Sequence, residues 1–167
     1  DLVFELTDGI LGDFYPSPAR MQTQFEKIVR EYLMQIHFRG KRPKGKFKLF
    51  ATEGATAAMI YIFKSLRENF ILTPDEKIAI ITPIFAPYLE IPVLRDYQLV
   101  PIYLHGDEKS GWQLDEKEVA KLEDKSIKAV FMVNPMNPGA VSMSVESVAQ
   151  IEKMVSEKRN NLIILSD

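Results

Sequence analysis

The 167-residue sequence contains no cysteine, so it has no disulfide framework, no thiolate metal site and no cysteine nucleophile. Charge of one sign is lacking too, because 21 Lys and Arg against 23 Asp and Glu leave a net charge of −2. Phosphate backbones require a basic face, so nucleic acid is not an expected partner. The one basic cluster, Arg39-Gly-Lys41-Arg42-Pro-Lys44-Gly-Lys46, is broken by glycines and a proline and reads as a solvated loop. No apolar run approaches the roughly 18 to 20 residues of a membrane span. The opening residues mix Asp1, Glu5 and Asp8 with apolar ones, unlike a signal peptide. No membrane partner is expected, and the expected location is cytoplasmic. Missing as well are the Gly-x-Gly-x-x-Gly dinucleotide fingerprint, the Gly-Lys-Ser/Thr of nucleotide P-loops, internal repeats and low-complexity segments.

What remains is an ordinary globular composition, 46% hydrophobic and 26% charged, at a length that suits one domain with a real core. From Lys46 onward, apolar runs of strand length alternate with segments of helical period. Lys48–Ala51 is a short run. Ala57–Phe70 sets Ala58, Ile62 and Leu66 four apart, with Met59, Phe63 and Phe70 beside them, which predicts an amphipathic helix. Lys77–Thr82 reads as a buried strand stopped by Pro83, and Tyr88–Tyr97 as a weaker helix interrupted by Pro92. Gln98–Leu104 is strand-like, Asp115–Leu122 a short helix, and Ile127–Val133 a strand ending at Asn134-Pro135. Ser144–Lys158 is helical with Ser144 or Ser147 as N-cap, and Leu162–Leu165 is a final strand. Strands apolar throughout and separated by helices predict an α/β fold, a three-layer α/β/α arrangement around a mainly parallel sheet.

The first part of the chain, residues 1–45, differs. Leu6–Met21 holds Gly9, Gly12, Pro16 and Pro18 and reads as an extended or turning arm. Gln22–Phe38 reads as one helix with Phe25, Ile28, Val29, Leu33 and Ile36 on a stripe. The chain begins at Asp1 and stops at Asp167 directly after an apolar run, so both ends are expected to be cuts in a longer protein.

Ligands of parallel α/β sheets bind beyond the carboxyl ends of the strands, which directs attention to four places. Gly54-Ala55-Thr56 opens a helix, where small residues let backbone N–H groups approach an anion; the bland alternative is a simple cap. Phe85 lies in a stiff Pro-rich loop and could stack on a planar ligand or fill the core. Asn134-Pro-Met-Asn137-Pro-Gly139 could be turn chemistry or could fix an amide against a phenolic oxygen. Asp167 could cap the next element or pair with a protonated ring nitrogen.

In this order, these motifs resemble the large domain of fold-type I pyridoxal-phosphate enzymes over residues from about Phe47 to Asp167. Ala51-Thr-Glu-Gly-Ala-Thr-Ala-Ala-Met59, Thr82-Pro-Ile-Phe-Ala-Pro-Tyr-Leu-Glu-Ile-Pro92 and Tyr15-Pro-Ser-Pro-Ala-Arg-Met21 are similar to the aspartate aminotransferase and aspartate 4-decarboxylase family. The resemblance implies that residues 46–167 form the first part of the domain that binds pyridoxal 5'-phosphate. It implies that Gly54, Ala55 and Thr56 hold the phosphate, and that Phe85 stacks on the pyridine ring. Asn137 would bond the phenolic oxygen, and Asp167 would pair with the ring nitrogen. Tyr15 would reach across to the neighbouring subunit's phosphate, so a homodimer or larger homo-oligomer is implied. The implied chemistry is β-decarboxylation of aspartate to alanine beside transamination to oxaloacetate, with amino acids and 2-oxo acids as partners. The family usually reads Asn-Pro-Thr-Gly where this chain has Asn137-Pro138-Gly139-Ala140, a departure that bears on the aminotransferase assignment more than on the fold. The Schiff-base lysine is not identifiable in the chain, which by itself is expected to be inactive. Another class I/II aminotransferase, a carbon–sulfur lyase of the same fold and a non-catalytic α/β binding module are the alternatives.

Overall fold

The computed structural model describes residues 2, 3, 7, 23–74, 76–104 and 111–167. They fall into two compact units, Asp1–Glu53 and Gly54–Asp167. The arm over Leu6–Met21, apart from Thr7, lies outside the described residues, and so does Tyr15. In the first unit, α1 (Thr23–Ile36) carries the expected stripe, on which Phe25, Ile28 and Ile36 are exposed. The Arg30 guanidinium bonds Glu26 one turn away and sits 4.7 Å from the Phe47 ring centroid. Lys48–Ala51, a run of only four residues, forms no strand.

The second unit is built from α2 (Ala55–Glu68), β1 (Lys77–Thr82), α3 (Pro87–Val93), β2 (Gln98–Tyr103), α4 (Glu116–Ala120), β3 (Ile127–Met132), α5 (Val145–Lys153) and β4 (Ile163–Ser166). All strand pairs are parallel, and the order is β2-β1-β3-β4. Each strand falls where its apolar run lies. Because successive side chains of a strand point to opposite faces, β1 sends Ile78 and Ile80 to one core and Ala79 and Ile81 to the other. Met59 and Phe63 of α2 and Tyr88 and Ile91 of α3 cover the first face. Val119 of α4, Leu122 and Ile151 of α5 cover the second. The result is the three-layer arrangement.

Local chemistry sets the element ends. Asp115 caps α4 by accepting from the Glu118 N–H, and Ser144 caps α5 by accepting from the Ser147 N–H. Pro92 sits inside α3 rather than interrupting it, and the helix ends one residue later at Val93. Pro101 is accommodated because β2 is an edge strand of this sheet. Among the described residues, no helix is long and apolar enough to cross a membrane.

Candidate functional site

The chain leaves β1 for β2 on one side and returns past β1 to β3 on the other. The strand order therefore reverses between β1 and β3, the kind of crevice where open α/β sheets bind ligands. The segments after β1, β3 and β4 leave from three adjacent strands at that edge. α2 runs back toward the start of β1, so its N-terminus, Gly54-Ala55-Thr56, stands at the same edge of the sheet.

After β1, Ile84 turns into the core at 7% exposure while Phe85 stays half out of it at 36%. Pro87 opens α3, where its missing N–H costs nothing, and the Tyr88 N–H donates to the Phe85 carbonyl at 2.9 Å. The Phe85 ring meets the Tyr88 ring edge-on, 5.3 Å between centroids at 85°. Tyr88 is itself buried, 4.9 Å from the Phe131 ring. Such offset and edge contacts are the favoured aromatic geometries, and they seat Phe85 on a packed base.

The Tyr88 hydroxyl donates to Asp167 Oδ2 at 2.8 Å. Burial, the hydrogen bond to Asp167 and the charge of that carboxylate push the Tyr88 phenol up to about 12. A phenol raised in the folded state favours folding at pH values below its ordinary 10, and that contribution is lost as pH climbs through 12. At neutral pH Tyr88 is a fixed donor. The Asp167 backbone is pinned as well: its N–H donates to the Met132 carbonyl at 3.1 Å, and its carbonyl accepts from the Asn134 N–H at 3.0 Å. The acid is thereby held against the end of β3.

The two asparagines after β3 separate in role. Asn134 Oδ1 accepts from the Met143 N–H at 3.0 Å and ties the loop to the segment before α5. The loop closes on itself through Ala140 N–H to the Met136 carbonyl (2.7 Å) and Met136 N–H to the Val141 carbonyl (2.8 Å). Met136 is buried beneath it. Asn137 is exposed at the loop's outer turn. At α2, Gly54 takes φ 127° and no side chain caps the helix; Ala55 and Thr56 are exposed.

Phe85 and Asp167 are thus joined through Tyr88, and the Asn134–Gly139 loop adjoins Asp167 through its backbone. From the sequence alone, Tyr88 is only the start of a helix. Its signal was an aromatic three residues after Phe85, one turn apart on a helix opened by Pro87. Neither Lys64, paired with Glu68 on α2, nor Lys77, paired with Asp124 at the far end of β1, lies at this edge.

The class I and II aminotransferase family model matches residues 19–167. A bifunctional aspartate aminotransferase and L-aspartate beta-decarboxylase of Pseudomonas sp is 45% identical over 163 residues, 98% of this chain and 31% of the relative. A mitochondrial alanine aminotransferase of Saccharomyces cerevisiae is 29% identical over 137 residues, covering 76% of this chain and 22% of that one. The chain spans about a third or less of the length of these relatives. Among solved structures, cystalysin from Treponema denticola, which contains pyridoxal 5'-phosphate, superposes with TM-score 0.68 at 20% identity over 87% of this chain and 34% of its own. A Thermus thermophilus aspartate aminotransferase double mutant gives 0.64 at 20% identity over 83% and 34%. At that identity the likeness speaks for the fold.

Proposed function

Because the chain belongs to the class I and II aminotransferase family, we propose that its parent protein is a pyridoxal 5'-phosphate enzyme that converts aspartate to alanine by removing the β-carboxylate and also transaminates aspartate to oxaloacetate. The observation that carries the cofactor reading is the Asp167 carboxylate, held at the end of β4 by Tyr88 with the Phe85 ring packed beside that tyrosine. The dual activity is supported by the similarity to the bifunctional Pseudomonas protein across nearly all of this chain.

The donors present fit the group. One Asp167 oxygen is taken by Tyr88, and the other is available for a protonated ring nitrogen. The uncapped first turn of α2 offers N–H groups and the positive end of the helix dipole to a phosphate. When bound, pyridoxal phosphate withdraws electrons from the substrate's α-carbon. In this reading Asp167 holds the ring-nitrogen proton, Phe85 stacks on the ring, Asn137 donates to the phenolic oxygen, and Gly54, Ala55 and Thr56 hold the phosphate. Residues 46–167 then form the first part of the cofactor-binding domain. The same proposal covers a cytoplasmic homodimer or larger homo-oligomer, in which Tyr15 reaches the neighbouring subunit's phosphate.

The test is an assay of the purified full-length protein with pyridoxal phosphate and aspartate, scored for alanine, carbon dioxide and oxaloacetate. Alanine and carbon dioxide are expected as the main products, with oxaloacetate lesser. Asp167→Ala should lower both rates by about two powers of ten or more, since several kcal/mol of charge stabilisation leave with it. Cofactor affinity should suffer less, because the phosphate contacts remain. A parent that makes oxaloacetate and no alanine removes the decarboxylase proposal, and one that shows no cofactor absorbance removes the enzyme reading altogether.

A further inference from the structure

A single buried side chain links the two groups that the proposed function sets against the face and the nitrogen of the cofactor ring. Tyr88 is 1% exposed. Its ring stands perpendicular to that of Phe85 at 5.3 Å and tilted at 40° against that of Phe131 at 4.9 Å, and its hydroxyl reaches Asp167 Oδ2 at 2.8 Å. The phenol cannot swing away, because its ring is enclosed by the core that also contains Phe63, Ile91 and Leu165. A carboxylate on the exposed residue that follows β4 would otherwise rotate about its own side-chain bonds. One fixed donor on one oxygen sets the plane of the carboxylate and so the direction of the other oxygen.

We propose that Tyr88 is a positioning residue for the cofactor, its ring seating Phe85 for stacking and its hydroxyl aiming Asp167 at the ring nitrogen. The proposal rests on the pyridoxal phosphate reading of the site. Ring and hydroxyl have separable effects, since Tyr88→Phe removes the donor and keeps the packing, whereas Tyr88→Leu removes both. The raised phenol keeps its proton through the neutral range, so the donor is present at every pH at which such an enzyme would be assayed.

The experiment uses the full-length holoenzyme and a double-mutant cycle of Tyr88→Phe with Asp167→Asn. Tyr88→Phe alone should raise the pyridoxal phosphate dissociation constant by about ten-fold, the scale of a lost hydrogen bond to a charged group. It should also shift the pH midpoint of the bound cofactor's visible absorbance and lower kcat while KM for aspartate stays nearly constant. In the Asp167→Asn background, the same substitution should change the dissociation constant by less than about two-fold, because coupled neighbours are non-additive. Tyr88→Leu should lower affinity further than Tyr88→Phe. Additive effects in the cycle, or an unchanged absorbance titration in Tyr88→Phe, would overturn the positioning role while leaving the cofactor reading intact. A wild-type protein without cofactor absorbance would overturn both. A crystal structure of the wild-type holoenzyme gives a mutation-free check: Tyr88 Oη within hydrogen-bond reach of Asp167 supports the proposal, and separation by a water or more sinks it.

Discussion

Ala140 shows how one residue reports on the site loop. It adopts φ 52°, in the left-handed region, at the position where the resembling family carries glycine. Its N–H closes the turn onto the Met136 carbonyl, so the conformation is held by the loop rather than by preference. A non-glycine residue there costs about 1–2 kcal/mol, while a glycine would add roughly 0.4–1 kcal/mol of unfolded-chain entropy. The steric relief outweighs the added entropy. Ala140→Gly should stabilise the protein by about 0.5–1 kcal/mol, measured by equilibrium denaturation, and a loss of stability would show that the loop relaxes differently. The neighbouring Gly139 behaves otherwise: a Cβ there would meet the far end of the Met136 side chain, which would have to shift to make room.

Among the elements, the connection into β3 is held by a buried arginine. The Arg159 guanidinium, 4% exposed, donates to the carbonyls of Leu122, Asp124 and Ile127. It lies at the end of the π-helical turn Met154–Lys158 that follows α5. It thereby binds the exit of α5 to the entry of β3, the strand whose far end carries the asparagine loop. Arg159→Met keeps much of the packing and leaves three carbonyl oxygens without that donor. At roughly 1 kcal/mol for each lost partner, about 3 kcal/mol of stability should go. Arg159→Lys should recover only part, since an ammonium lacks the planar fork that reaches several acceptors at once. A thermal midpoint unchanged in Arg159→Met would refute the assignment. The start of α5 carries a second polar knot, in which Gln113 Oε1 accepts from the Ser144 N–H and the Ser147 hydroxyl.

On the scale of the whole second unit, one aromatic stack joins the stability of the sheet to the order of the site. Phe131 is fully buried near the carboxyl end of β3, with the rings of Phe63 at 5.8 Å and Tyr88 at 4.9 Å. Phe131→Ala should cost about 3–5 kcal/mol through lost burial and the cavity left behind. It should also weaken pyridoxal phosphate binding by the full-length protein, because Tyr88 loses the surface it leans on. Urea denaturation and a cofactor titration test both halves. Lost stability with undiminished cofactor affinity would mean that the site is independent of this stack.

The sequence alone determined the strands, the helices and the three layers, because unbroken apolar runs such as Lys77–Thr82 fit only a sheet buried on both faces. It also offered Ser144, beside Ser147, as the cap of α5, since that interaction spans three residues and is local, and the structure chose Ser144. The two-residue overrun at the end of α2, expected to reach Phe70 and found to stop at Glu68, comes from an element end, where pattern carries little information. What only the tertiary structure decided are contacts across the chain. Tyr88 and Asp167 are 79 positions apart and meet because β1 and β4 flank β3. The division of labour between Asn134 and Asn137 was equally hidden, since two identical Asn-Pro pairs differ only in which side chain finds the Met143 N–H. Periodicity reports which face of an element is buried, whereas the partner on that face is set by strand order, which no local pattern encodes.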